Sequence, residues 1–133
     1  MRRLAYLMLI TLLLMVSMSS PGDVKPLKIG EVKFKKLSGN VIAVEVQLIA
    51  TGFEGELVYR CIVEFFRGSE VAYLGFAEGS IRGWEVKVIE LGFNFSSAPE
   101  DYRVKVFVWS GWPGEPGFKI LADSMELAFK VEG

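Results

Sequence analysis

The sequence predicts an all-β domain, an antiparallel sandwich of about seven strands, preceded by an N-terminal hydrophobic signal helix. Three observations predict it. Short β-rich runs recur at intervals of roughly ten to fifteen residues, separated by Gly, Ser, Asn and Pro, the spacing of sandwiches and barrels. The clearest runs alternate apolar and polar residues with a period of two, as a strand with one buried face must. Beyond the first twenty residues, no stretch shows apolar side chains at helical spacing.

Residues 1–20 read as a targeting segment. Met1, Arg2 and Arg3 give a short basic start, and Leu4 to Val16 is apolar except for Thr11. A run of about thirteen apolar residues fits the core of a signal peptide and falls short of the ~20 that cross a bilayer as a helix. Ser17, Met18, Ser19 and Ser20 offer small residues at cleavage spacing, with cleavage expected after Ser19. The competing reading is an uncleaved membrane anchor that keeps Arg2 and Arg3 inside. A buried core helix is disfavoured, because the run is apolar on all sides and has no second helix to pack against. By either route the domain faces outward, secreted or anchored on the outer side of the cytoplasmic membrane. Any membrane contact is confined to this segment. Residues 21–26, bounded by Pro21 and Pro26, form a linker, and 27–133 form the sandwich.

The first strand is read at Lys28 to Lys36. Leu27 and Ile29 are out of phase with Val32 and Phe34 across Gly30, which signals a bulge or bend. In Asn40 to Thr51, Ile42, Val44, Val46 and Leu48 alternate with Ala43, Glu45 and Gln47. In Glu56 to Arg67, Leu57, Tyr59, Cys61, Val63 and Phe65 share one face, and Val58, Arg60, Ile62, Glu64 and Phe66 the other. A short strand is read at Glu70 to Phe76 and another at Trp84 to Phe95, where a second phase slip separates Val86 and Val88 from Ile89 and Leu91. Asp101 to Trp109 alternates most regularly, with Tyr102, Val104, Val106 and Val108 facing in and Arg103, Lys105, Phe107 and Trp109 facing out. Met125, Leu127, Phe129 and Val131 mark its hairpin partner. Between the two, Pro113, Gly114, Pro116 and Gly117 forbid a regular strand and make the longest loop.

Composition removes several function classes. With no histidine in 133 residues, neither a Ser-His-Asp nor a Cys-His pair can form, and imidazole metal sites are impossible. Glu54 with Glu56, and Glu100 with Asp101, are the remaining candidates for acid–base work. Adjacent acidic residues in turns usually face water, so no enzyme activity and no cofactor are expected. No Asp-x-Asp-x-Asp loop is present. Glu100, Asp101 and Asp123 are the carboxylates that could coordinate calcium at a sandwich end, but the acidic residues are scattered and no metal is expected. Cys61 has no second cysteine to pair with and lies on the core face of its strand, where a free thiol acts as a small inert hydrophobe. The domain must therefore be held by its core rather than by disulfides. The formal charge of −1 becomes −3 if the two positive charges of Arg2 and Arg3 leave with the leader, which argues against a nucleic-acid partner. Asn40, Asn94 and Gln47 are the only side-chain amides, and with abundant Val, Glu and Lys they fit a thermophilic source. Asn94-Phe95-Ser96 is a glycosylation sequon, usable if Asn94 is exposed.

Three stretches resemble the small extracellular immunoglobulin-like modules of bacteria and archaea, of the CARDB and fibronectin type III-like kind. Val41 to Gly52 (VIAVEVQLIATG) resembles their second strand, Ala98 to Trp109 (APEDYRVKVFVW) their penultimate strand with its entry tyrosine, and ILADSMELAFKV their closing strand. Where those modules usually have a Pro-Gly turn before the fifth strand, this chain has Arg82-Gly83-Trp84. The resemblance implies a surface or secreted module for adhesion, spacing or assembly, usually without catalysis, and it carries over no functional residues. Tyr102 then reads as structural, its ring buried at the sandwich corner.

The outward-facing Phe107 and Trp109, with Trp112, Pro113 and Phe118 of the following loop, are the candidate partner-binding residues. The opposing reading folds the loop back over Phe107 and Trp109 as a secondary cluster. If the aromatics are open, a protein partner or self-assembly at the cell surface is favoured, because polar neighbours around Trp112 are few. Polysaccharide stacking on Trp109 and Trp112 is the runner-up. A third possibility is strand exchange, in which Pro21 to Lys36 completes a neighbour's sheet in a filament or envelope.

Overall fold

The computed structural model describes residues 24–95 and 100–131. The expected signal segment, 1–20, lies outside the described residues. Seven strands carry all the regular structure of the described residues: β1 (Leu27–Ser38), β2 (Val41–Ala50), β3 (Glu56–Arg67), β4 (Glu70–Arg82), β5 (Val86–Asn94), β6 (Glu100–Trp109) and β7 (Ile120–Val131). They form two sheets with every neighbouring pair antiparallel, a three-stranded sheet β1-β2-β5 and a four-stranded sheet β4-β3-β6-β7. The expected all-β sandwich is therefore what forms. β4 lies beside β3, so the turn from β4 to β5 carries the chain from one sheet to the other.

The alternation read from the sequence sets which side chains fill the space between the sheets. Val44, Val46 and Leu48 of β2, Cys61, Val63 and Phe65 of β3, and Val104, Val106 and Val108 of β6 are fully buried there. Phe65 is the hub of one end of the core, with the rings of Phe93 and Phe95 at 4.9 and 5.1 Å and those of Tyr102 and Phe129 at 6.0 and 5.9 Å, all in steep crossings. A buried phenylalanine so placed is worth about 3–5 kcal/mol against truncation to alanine. Tyr102 is buried in this cluster, as expected. Cys61 is buried too, and burial pushes its thiol up to about 12.

Three details depart from the expected strands. β4 runs to Arg82 instead of stopping at Phe76. Its inward positions there are Gly75, Ala77 and Gly79, small because rings from other strands lie over them. A Cβ on Gly75 would come within 2.9 Å of Phe93, and one on Gly79 within 2.6 Å of the Tyr59 hydroxyl. Loop-forming residue types thus belong to a strand interior. The second expected phase slip does not exist: β5 pairs with β2 without a register shift, and Val86 and Val88 simply face water while Ile89 and Phe93 face the core. Trp84 is not the start of β5, for it sits in the preceding turn. The slip around Gly30 is real, a register shift between Ile29 and Val32. Residues 27–36, considered for exchange between copies, pair with the chain's own β2.

Candidate functional site

The outer face of the four-stranded sheet follows from strand register. Residues opposite one another share a face, so it is built in rows: Glu78, Arg60, Trp109 and Ile120; then Phe76, Ile62 and Phe107; then Leu74, Glu64, Lys105 and Glu126; then Val71, Phe66, Arg103 and Ala128. The first two rows make an aromatic half, Trp109, Phe76 and Phe107 with the Arg60–Glu78 pair among them, and the last two a charged half, Glu64, Lys105, Glu126 and Arg103 with Phe66 among them. In the charged half Glu126 pairs with Arg103 at 3.3 Å and with Lys105 at 3.9 Å, and both cations lie over the Phe66 ring.

The loop between β6 and β7, residues 110–119, folds onto the aromatic half. Its shape is fixed by two consecutive turns that share Glu115. The Glu115 N–H donates to the Trp112 carbonyl at 3.1 Å, and the Phe118 N–H to the Glu115 carbonyl at 3.1 Å. Each turn has proline second and a glycine of positive φ third, Gly114 at 94° and Gly117 at 77°, the arrangement of a type II turn. Ser110 closes the base, its N–H donating to the Lys119 carbonyl and its hydroxyl accepting from the Lys119 N–H.

This geometry carries Trp112 onto Phe76, with ring centres 5.0 Å apart and nearly perpendicular, and Phe118 onto Trp109 at 5.5 Å. Trp109 also lies against Phe107 at 5.2 Å. Arg60 stands beneath, its side chain 16 % exposed, with its guanidinium 4.6 Å from the Trp112 ring centre and 5.6 Å from that of Phe76. Glu78 at 2.9 Å and Glu115 at 3.5 Å balance its charge. The Glu115 carboxylate also accepts the Trp112 N–H, so one side chain ties the loop to itself and to the sheet. Of the four residues singled out from the sequence, the structure brings Phe107, Trp109 and Phe118 into one ring cluster and sets Trp112 on Phe76 and Arg60, and all four are half-buried. The loop folds back, as the opposing reading required. The exposed apolar side chains of this face are instead Val58, Val71, Leu74 (54 % exposed), Phe76 (44 %) and Ile120, of which Leu74 and Phe76 are neighbours on β4.

A second aromatic feature sits at the turn from β4 to β5. The Glu85 N–H donates to the Arg82 carbonyl at 3.1 Å, which closes a turn with Gly83 and Trp84 in its centre. Gly83 is required because a Cβ there would lie 2.0 Å from the Phe53 carbonyl oxygen. Trp84 takes a φ of 67°, a conformation that costs a residue with a Cβ about 1–2 kcal/mol. Its N–H donates to the Thr51 carbonyl at 3.1 Å, yet the side chain is 82 % exposed. The Nε1–Cζ2 edge of the indole takes the space left by Gly52, where a Cβ would come within 2.3 Å of the ring. Arg82, two residues before Trp84, pairs with Glu56 at 3.2 Å, and with Phe53, Gly55 and Gly83 they line a shallow depression next to the turn.

The other candidate residues are dispersed. Asp101 faces Lys130 across the β6–β7 ladder, and Asp123 lies seven residues along β7, roughly 23 Å away, paired with Lys25 at 3.0 Å. Asp101 and Asp123 therefore cannot share a cation. Glu56 is engaged by Arg82. Asn94 is exposed at the end of β5, and Ser96 of its sequon lies outside the described residues.

No family model matches the chain, and no curated protein matches it. Among solved structures it is similar to a β-glucosidase from Kluyveromyces marxianus, in a crystal structure with glucose (20 % identity, TM-score 0.48) and in a selenomethionine-labelled form (20 % identity, TM-score 0.44). Each match covers 83 % of this chain and 14 % of the β-glucosidase chain. This likeness carries no argument about what the chain binds or does.

Proposed function

We propose that this chain is a non-catalytic structural module of the cell surface, secreted or held outside the cytoplasmic membrane by its first twenty residues, and that it assembles with further copies of itself through the outer face of the four-stranded sheet. The observation that carries this reading is the exposed pair Leu74 and Phe76, neighbours on the outward side of β4, with the Trp112 ring of the stiffened loop set against Phe76. A protein interface gains most from apolar and aromatic side chains already held in their bound arrangement, because less freedom is lost on docking. The Pro-Gly turns, Glu115 and Arg60 hold the aromatic half in that way. The charged half beyond it, with Glu64, Lys105, Arg103 and Glu126, supplies both signs of charge to fix orientation. The placement of the fourth strand beside the third supports a fibronectin type III-like module over a constant immunoglobulin one, where the fourth strand joins the sheet of the first.

Light scattering across a concentration series on the exported protein tests the proposal, alongside the double variant Leu74→Asp/Phe76→Asp. Oligomers that disappear in the variant support it. A monomer at every concentration, or oligomers that the variant leaves intact, overturns it.

A further inference from the structure

We infer that Trp84 and the polar groups around it form a separate ligand site, a stacking platform for a pyranose unit of a neutral polysaccharide or glycan. The inference rests on the β4–β5 turn; Arg82 and Glu56 lie at the end of the same outer face, six residues along the strands from the row of Phe76 on which the assembly reading stands.

Of the three tryptophans, Trp109 is half-buried against Phe107 and Phe118 and Trp112 against Phe76 and Arg60, and Trp84 alone stands in water. Folding does not call for an indole there. The position has a φ that glycine or asparagine adopts at little cost, and the side chain fills no part of the core. Contact with Gly52 fixes one edge of the ring and leaves most of its surface open. A large apolar ring thus stands in water on a strained backbone, with one edge against Gly52 and its remaining surface open to a ligand.

The surroundings select the ligand class. A pyranose presents a face of C–H bonds that packs on an indole, and a rim of hydroxyls that each donate and accept hydrogen bonds. Arg82 supplies donors and Glu56 acceptors, both more than half exposed and 3.2 Å apart, beside the depression that adjoins the turn. Such a pair can bond adjacent hydroxyls in the way small polar sets orient ligands in binding sites. A protein contact of high affinity would instead ring the indole with apolar side chains that exclude water. Around this turn Arg82 and Glu85 are charged and Val86 is apolar and 53 % exposed, so no closed apolar ring surrounds the indole, and Glu54, Glu56 and Glu85 outnumber Arg82, which disfavours anionic ligands and anionic lipid.

The test uses the chain expressed with its own N-terminal segment and purified in its exported form. Cellohexaose, chitohexaose and mannohexaose are each titrated to millimolar concentration while the three indole N–H resonances are followed by NMR. A saturable shift of the Trp84 signal with at least one hexasaccharide, Trp109 and Trp112 unmoved, is expected. The Trp84→Gly variant, which relieves the backbone and keeps the turn, should melt within a few degrees of the parent and bind at least about tenfold more weakly. Trp112→Ala should bind as the parent does. No shift with any of the three sugars, or undiminished binding by Trp84→Gly, overturns the inference. So does a change in particle size on Trp84→Gly, which would make the indole a protein contact. The assembly reading stands or falls on Leu74 and Phe76, so the two can fail independently.

Discussion

Two turns in this molecule carry a tryptophan, and they treat it in opposite ways. In the 110–119 loop, glycines occupy both positions of positive φ, so the backbone is unstrained and Trp112 is laid on Phe76 and Arg60. In the β4–β5 turn the glycine is displaced one position by the close approach of Phe53, and the tryptophan itself takes the positive φ, with little beneath its ring. The lesson is that a tryptophan's exposure is set by what the neighbouring strand offers. Arg60 and Phe76 provide a surface for Trp112, whereas Trp84 meets only the bare backbone of Gly52.

Alkaline pH should give the largest effect and take both regions down together. Burial raises the Cys61 thiol to about 12, and Tyr59 is raised as well, by burial first and then by Cys61 and Glu85. The unfolded thiol ionises near its ordinary pH, so between roughly pH 9 and 12 the unfolded state binds fewer protons than the native one. Stability is then fully present below about pH 9 and falls as pH rises, by at most about 1.4 kcal/mol per unit from Cys61. Urea midpoints at pH 8, 10 and 11 check this. Cys61→Ala should flatten the slope, leaving the part due to Tyr59.

Arg60→Leu should separate the two regions. It removes the cation under Trp112 and leaves Glu78 and Glu115 half in water, for a loss of about 1–2 kcal/mol. The Trp112 indole resonance should shift toward its solvent-exposed position, and that of Trp84 should stay put. A Trp112 signal unchanged in this variant would mean that the Pro-Gly turns alone seat the ring. Gly117→Ala examines those turns directly. A Cβ there meets nothing within 4 Å, so its cost is the backbone's own, about 1 kcal/mol, measured by thermal melting.

Much of the fold was legible because period-two alternation is a direct consequence of one buried face, and β2, β3 and β6 obey it. β4 was not, since its inner face is made of Gly75, Ala77 and Gly79, residue types that read as a loop until the rings of Tyr59 and Phe93 are seen above them. Nor was the course of β5, where outward Val86 and Val88 imitate a phase slip. The grouping of Phe107, Trp109, Trp112 and Phe118 could be read from one strand and its loop. The part of Arg60 could not, because register with β4 and β6 sets it between Glu78 and Trp109. Trp84 had a signal, an aromatic residue after Arg82-Gly83 where a Pro-Gly turn is usual, but its exposure depends on Phe53 and Gly52 from a distant loop.

Gly52→Ala should have the smallest effect and gives the finest test of the contrast. The added methyl would lie 2.3 Å from the Trp84 ring, so the indole must move. Nothing holds the rest of the ring, and the backbone at Gly52 has no positive φ to strain, so stability should change by less than about 0.5 kcal/mol. The Trp84 indole resonance should shift while those of Trp109 and Trp112 do not. A cost as large as that of Gly117→Ala would mean that the indole is packed against its loop as firmly as Trp112 is against its sheet. The two turns would then differ only in degree, and the strained backbone at Trp84 would be repaid by packing instead of standing open for a ligand.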